Sequence, residues 1–445
     1  MGFGVTICTF GFGLDKAAST FHCAAMNILL TASPVGNATG RKLTRRRFLG
    51  GTIVAAASAP MLSVTHSLAQ ESAPGTVYER KIKLGVIGNG GRGSWIANLF
   101  KKHGGYEMYA VADYFQEVAD QCGDKLGVDK ARRFSTLSGY KRLLECGAEA
   151  VALETPPYFF PEDAKAAVDA GLHVYMAKPV AVDIPGALQI LAAAKEAVRK
   201  KRCFLVDYQM PTDPANNEVR RRLRAPEFGP ISQVVTVGIG GGFQDPPKGD
   251  TIENRLRGLI WVNDIALGCD YIGNFDIHAI DAAIWALGKR PVAASGSSRI
   301  CRSNPHGDGH DVCSVVFEYD GGLVHNHLGM ALNNLVQGEL SCRIYGLRGN
   351  ALINYWGKAN FRSSEDKYEA AVENLYEAGA SRNIATFYRD VTENRFENGT
   401  PQRSVDGVLT CILGREAALR NDRLQMEQLL KENKRLEVDL RGLKS

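Results

Sequence analysis

The residue pattern predicts an α/β chain: a parallel sheet covered by helices on both faces, followed by an α+β domain with a large, mainly antiparallel open sheet. Three observations predict it. Short apolar runs alternate with helix-length amphipathic stretches from residue 81 to 208, the signature of strands and crossover helices. The first apolar run passes directly into a glycine-rich turn that opens a helix. Beyond residue 210, β-rich runs bounded by Gly-Gly and Asp-Gly pairs take over.

The elements follow in order. Ile82 to Ile87 is a first strand and Ser94 to Phe100 lies in a helix. Tyr106 to Ala112 is a second strand ending at Asp113, with helices at Phe115–Leu126 and Tyr140–Glu145 after it. Ala150–Leu153 and His173–Met176 are short buried strands, separated by a helix over Pro161–Ala170. A helix over Ile184–Lys200 and a strand over Cys203–Asp207 complete the unit. Strands are then expected at Ile231–Gly238, Val312–Tyr319, Leu323–Leu328 and Gly338–Tyr345, with Asp320-Gly321-Gly322 as a hairpin turn. Apolar spacing predicts helices over Val405–Asn421 and Met426–Lys434. The chain thus divides into a leader (1–69), a linker (70–80), a first domain (81–208), a second (209–404) and C-terminal helices that pack back on the core (405–445).

The turn is Gly88-Asn89-Gly90-Gly91-Arg92-Gly93, a GxGxxG with its full context of preceding strand, following helix and an acidic residue at the end of the next strand. Gly88 permits the tight turn, Gly90 lets a pyrophosphate approach the backbone, and Gly93 allows close helix–strand packing. The helix N-terminus offers free N–H groups to the phosphates. Asp113 is placed to accept the adenosine ribose hydroxyls. Tyr114 and Phe115 follow it, with no adjacent cation for a 2′-phosphate, so NAD is preferred to NADP.

Charge narrows the partners and the compartment. The formal net charge is +5, but residues 1–69 hold six of the 53 basic and one of the 48 acidic side chains. The remainder is balanced and has no electrostatic footprint for a nucleic acid. Within the leader, Arg45-Arg46-Arg47-Phe48-Leu49 precedes an apolar small-residue run and Ser67-Leu68-Ala69 offers a cleavage site. This resembles a twin-arginine export signal, which implies passage through that machinery to the periplasm, or other export, with no stable membrane insertion. Translation from Met1 or from Met26 fits the pattern. The ten cysteines contain no CxxC and read as reduced side chains, and no metal centre is expected.

Three separated motifs carry a resemblance to a known family. They are Thr155-Pro156-Pro157; the run Ala170-Gly171-Leu172-His173-Val174 to Ala177-Lys178-Pro179; and Asn274-Phe275-Asp276-Ile277-His278-Ala279-Ile280-Asp281 with Trp285 to Gly288. Over residues 81 to about 422 the chain resembles the glucose–fructose oxidoreductase and inositol dehydrogenase (Gfo/Idh/MocA) superfamily of two-domain NAD(P)-dependent proteins. The resemblance implies a homodimer or homotetramer paired through the second sheet.

It also implies roles. Lys178 and His278 approach a carbohydrate or polyol from opposite domains, His278 as general base and Lys178 polarising the substrate oxygen. Thr155, Pro156, Pro157, Lys178 and Gln209 would line the cofactor, and Tyr158, Asp264, Asn274 and His310 the substrate. Three departures stand out: Asn274 replaces an aspartate, Asp276 replaces a glycine and could supply the missing carboxylate, and Ala177 replaces the glutamate before Lys178. Tyr158-Phe159-Phe160-Pro161 also stands where the family has a histidine. The leading reading is an exported oxidoreductase with tightly held NAD that exchanges hydride with a sugar or polyol hydroxyl. A glycoside hydrolase working by transient oxidation and elimination, and a non-catalytic sugar-binding protein, are the alternatives.

Overall fold

The computed structural model describes residues 77–249 and 251–445. The leader and its arginine motif lie outside the described residues. Six parallel strands form the first sheet in the order β3-β2-β1-β4-β5-β6. They are β1 (Ile82–Ile87), β2 (Tyr106–Asp113), β3 (Arg133–Ser135), β4 (Ala150–Leu153), β5 (His173–Met176) and β6 (Phe204–Val206). Crossovers run through α1 (Gly91–His103), α2 (Gln116–Leu126), α3 (Gly139–Glu145), α4 (Phe160–Asp169) and α5 (Ile184–Arg199). Burial on both faces explains the continuous apolar strands; β4 and β5 have no exposed residue. Local signals set the helix ends. Asp183 caps α5 by accepting the Gly186 N–H at 2.8 Å, and Gly104 ends α1 in the left-handed region.

The second sheet has nine strands in the order β14-β13-β12-β11-β7-β10-β9-β8-β15. These are β7 (Ile231–Gly240), β8 (Ala293–Arg299), β9 (Val312–Glu318), β10 (Val324–Ala331), β11 (Glu339–Gly346), β12 (Gly349–Asn354), β13 (Gly357–Ser363), β14 (Lys367–Val372) and β15 (Leu424–Gln425). Every pairing is antiparallel except that of β7 with β10. The helices are α6 (Pro214–Arg222), α7 (Ile252–Arg255), α8 (Ile265–Gly268), α9 (Ile277–Leu287), α10 (Leu375–Thr392), α11 (Thr400–Arg420) and α12 (Met426–Glu432). Helix α9 is buried at every position from Ile277 to Trp285, the mark of a helix enclosed on all sides. It lies between the inner face of the sheet and α11.

Two helices tie the layers together. Helix α11 packs on α5, α9 and β8, and Thr400 at its start accepts the Val206 N–H of β6 at 3.0 Å. Helix α10, unforeseen in the sequence and placed within the span of the second domain, packs on α1 instead. Its Ile384, Phe387 and Val391 join Ile96, Phe100 and Tyr175 in one cluster. Each such fully buried large side chain contributes about 1.5–3 kcal/mol. Among the described residues eight cysteines are free, and no helix is long and apolar enough to cross a membrane.

Candidate active site at the cofactor edge

The C-terminal edge of the parallel sheet gathers the chemistry. Gly88, at φ +86°, makes the turn after β1, and a side chain there would collide with the backbone of Glu154. A side chain at Gly93 would collide with the Gly88 carbonyl, whereas Gly90 and Gly91 face open space. Helix α1 begins on that open side with no side-chain cap and no acidic residue in its first turn. Its N–H groups and positive dipole end are therefore free for an anion. The Asp113 carboxylate accepts the Asn89 N–H at 2.7 Å and the Phe115 N–H at 3.0 Å, one on each oxygen. Each oxygen keeps acceptor capacity for a ribose hydroxyl. These residues fit a dinucleotide with its pyrophosphate over Gly90 and its adenosine beside Asp113. The Asn89 side chain turns inward to the Val86 carbonyl at 3.2 Å.

Arg92 does something different from its glycine neighbours. Its guanidinium reaches Asp207 at 2.5 Å and Glu154 at 3.1 Å, and donates to Tyr376 Oη at 3.1 Å. The rings of Trp95 and Tyr376 stack 4.4 Å apart beside it. Asp207 also accepts from Gln209 at 2.9 Å and Asn383 at 2.7 Å, and Tyr355 donates to Gln209 Oε1 at 3.2 Å. Gln209 thus spends both ends of its amide inside this cluster. Glu154 follows β4, Lys178 follows β5 and Asp207 follows β6, so three strand ends deliver charge to one place.

Lys178 reaches across the domains toward the start of α9, which carries His278. The Lys178 ammonium donates to the main-chain carbonyl of Asn274, in the π-helical turn Ile272–Asp276 that leads into α9. Burial, then the positive charge of Arg92, pushes Lys178 down to about 7. Burial lifts Glu154 to about 7, opposed by Arg92. His278 is held well below its ordinary value by burial and by the charges of Lys178 and Arg92. It is therefore neutral at neutral pH, as a base must be, and its Nδ1 has no hydrogen-bond partner. The rings of Tyr355 and Tyr208 lie 5.2 and 6.2 Å from it, centroid to centroid. Asp281, one turn along, pairs with Arg403 at 2.9 Å.

The other candidates have partners of their own, and Thr155 lies against the turn at Gly88. Asp276 faces the sheet: its Oδ2 takes a 3.0 Å hydrogen bond from His327, and a side chain at Gly238 or Gly329 would strike the carboxylate. The chain continues through Thr236 (2.9 Å from His327) to His325 (2.7 Å). Asp276, His327 and Cys313 bring three ligand-type atoms within 4.8 Å of one another, although the His327–Asp276 contact is already a hydrogen bond. Asp264 caps α8 through the N–H groups of Ala266 and Leu267 and pairs with Arg255. His310 bonds to Ser298 Oγ at 2.7 Å, and its main-chain N–H to Asp270. Thr155 donates to Asp163 at 3.1 Å, Pro156 accepts the Phe159 N–H, and Pro157 is buried. Tyr158 bonds through its main chain to Leu267 of the second domain at 3.2 Å. The sequence reading did not single out Glu154, Asp207, Asn383 or Tyr355. The first two were findable, because each directly follows a parallel strand.

Residues 82–207 match the family GFO_IDH_MocA, described as "Oxidoreductase family, NAD-binding Rossmann fold". No curated protein sequence matches the chain. Solved structures share the fold. An aldose-aldose oxidoreductase from Caulobacter crescentus, complexed with glycerol, superposes with a TM-score of 0.64 at 18% identity, over 78% of this chain and all of that one. A levoglucosan dehydrogenase with NADH and levoglucosan gives 0.65 at 16%, over 78% and 100%. An inositol dehydrogenase homolog with NAD+ from Azotobacter vinelandii gives 0.66 at 18%, over 78% and 98%. The glycine turn, the strand order and the family match agree: residues 82–207 form a Rossmann domain that matches the NAD-binding domain of this oxidoreductase family.

Proposed function

We propose that the protein oxidises or reduces a hydroxyl of a carbohydrate or polyol by hydride exchange with tightly held NAD. The observation that carries this is the reach of Lys178, from the strand edge of the first domain, to the main chain of Asn274, one turn before His278 in the second. A bound nicotinamide supplies the hydride acceptor or donor. The protein supplies the rest. Neutral His278 takes the hydroxyl proton, Lys178 polarises the oxygen, and the Arg92–Glu154–Asp207 cluster holds the strand ends in register. Two similar solved structures, the levoglucosan dehydrogenase and the inositol dehydrogenase homolog, support the substrate class.

The test is a panel of sugars, polyols and aryl glycosides given to the folded, NAD-loaded protein, with absorbance at 340 nm and aglycone release followed together. Net NADH without release is the expected result. Release without net NADH would make the protein a redox-assisted hydrolase, and neither signal a binding protein.

The pH profile should report Lys178. Its charged form is the polariser, so the rate should fall as pH rises through about 7, where the buried ammonium loses its proton. Glu154, which loses its proton over the same range, opposes the fall by favouring the Lys178 ammonium. Lys178→Ala should lower the rate and erase the falling limb; a limb that survives assigns it to another group.

Assembly through the second sheet is part of the reading. Val316, Val324, Leu328 and Tyr345 are exposed on β9, β10 and β11, on the side away from His325 and His327. An apolar sheet face of this kind favours a partner copy. Light scattering should show a dimer or tetramer, and Leu328→Asp should yield monomer with intact secondary structure. Export through the twin-arginine route is also proposed, from the leader sequence alone. Arg45→Lys with Arg46→Lys should retain the precursor in the cytoplasm, and unchanged export would exclude that route.

A further inference from the structure

Two segments far apart in sequence converge on the residues just after Asp113. The first is residues 251–257, which include α7. Tyr114 Oη donates to Glu253 at 3.0 Å, and the Arg257 guanidinium lies 3.7 Å above the Phe115 ring while pairing with Glu117 at 3.0 Å. The second is the stretch after α12. It crosses α5, where the Leu436 N–H donates to Asp183 at 2.8 Å, and runs to the far side of the parallel sheet. There the Lys444 N–H donates to Tyr114 Oη at 3.1 Å, its carbonyl accepts the Leu137 N–H at 3.0 Å, and its ammonium lies 3.9 Å from Glu253. The Tyr114 hydroxyl is therefore a bridge, donating to one segment and accepting from the other.

The place matters more than the number of bonds. Tyr114 and Phe115 follow the carboxylate that is hydrogen-bonded to the glycine turn. Thr136, whose N–H donates to the Tyr114 carbonyl at 3.1 Å, has φ +73°, rare for a β-branched residue. Such a conformation persists only where the surroundings fix it. The cations at this spot are each matched: Arg257 by Glu117, and Lys444 by Glu253.

We propose that residues 251–257 and 436–444 form a clasp over the adenosine half of the dinucleotide, locked through Tyr114, which slows cofactor release. This rests on the reading of the glycine turn as an NAD site, and it gives that reading a cause for tight retention. A clasp of exposed ion pairs and single hydrogen bonds is individually weak. It suits a device that opens for loading and closes afterwards.

The test is release of NADH measured by stopped-flow fluorescence, with equilibrium binding of ADP-ribose and of nicotinamide mononucleotide beside it. Three proteins are compared: the full chain, a chain ending at Arg435, and Tyr114→Phe, which keeps the ring and removes the bridge. The shortened chain should release NADH at least tenfold faster, and Tyr114→Phe severalfold faster. Both should bind ADP-ribose more weakly by similar factors, and nicotinamide mononucleotide unchanged. If the full chain binds NADH but both variants release it at the same rate, the clasp is wrong and the cofactor site stands. Equal weakening of both half-cofactors also overturns the clasp, because it signals general loosening. If the folded full chain binds no NADH, the site and the clasp fail together.

Discussion

Replacing His278 with glutamine should lower the rate of hydride transfer by roughly 10²–10⁴-fold, the usual worth of a positioned general base. Glutamine fills similar space and can still hydrogen-bond, so α9 should remain packed between the sheet and α11. It cannot take a proton. The NAD affinity and the melting midpoint should therefore stay near those of the unaltered protein while kcat collapses. This split separates the catalytic role from that of a satisfied core histidine. The structure favours the first, because the Nδ1 of His278 is buried without a partner and its neighbours are aromatic rings and two cations. Near-full activity in His278→Gln would remove His278 from the mechanism.

Arg92→Met should cost stability on the scale of breaking a buried ion pair, about 3–5 kcal/mol. Glu154 and Asp207 have almost no solvent access, with side chains 1% and 0% exposed. Without the guanidinium they repel each other, with only Lys178 left nearby to offset them. Arg92→Lys should restore only part of the loss, because one ammonium cannot reproduce a planar fork that serves two carboxylates and Tyr376. Thermal melting of Arg92→Met, Asp207→Asn and the double variant gives the check. The double variant should be less destabilised than the two single losses added together, since the second change removes a charge the first left stranded. Strict additivity would mean that Arg92 and Asp207 do not stabilise one another.

How much of this was legible beforehand depended on the kind of signal. The parallel sheet was, because period and burial agree in β1, β2, β4 and β5, and the glycine turn announces itself by context. The edge strand β14 and its neighbour β13 were not: Lys358, Arg362, Lys367 and Glu369 break their apolar pattern, as charges do toward an exposed sheet edge. Helix α10 escaped for a related reason, since its apolar positions are diluted by Arg, Asn and Tyr and its partner α1 lies nearly 300 residues away. Lys178 and His278 could be paired from motifs and chain logic. Arg92 could not be assigned to Glu154 and Asp207, because contacts between strand ends come from the order of strands and not from spacing. Asp276 teaches the same lesson in reverse. Its place two residues before His278 suggested a catalytic carboxylate, but a π-helical turn points it at His327, where Gly238 and Gly329 leave room for it.

The central claim is that hydrogen passes between a sugar carbon and a nicotinamide held on the Gly88–Gly93 turn. The most direct measurement is isotopic. Protein loaded with unlabelled NAD is exposed to sugars and polyols deuterated at every carbon, and the cofactor is then extracted and weighed by mass spectrometry. Deuterium should appear in the reduced cofactor with at least one of them, and should be lost in His278→Gln. A folded, NAD-loaded protein whose cofactor stays unlabelled with every sugar and polyol would contradict the account.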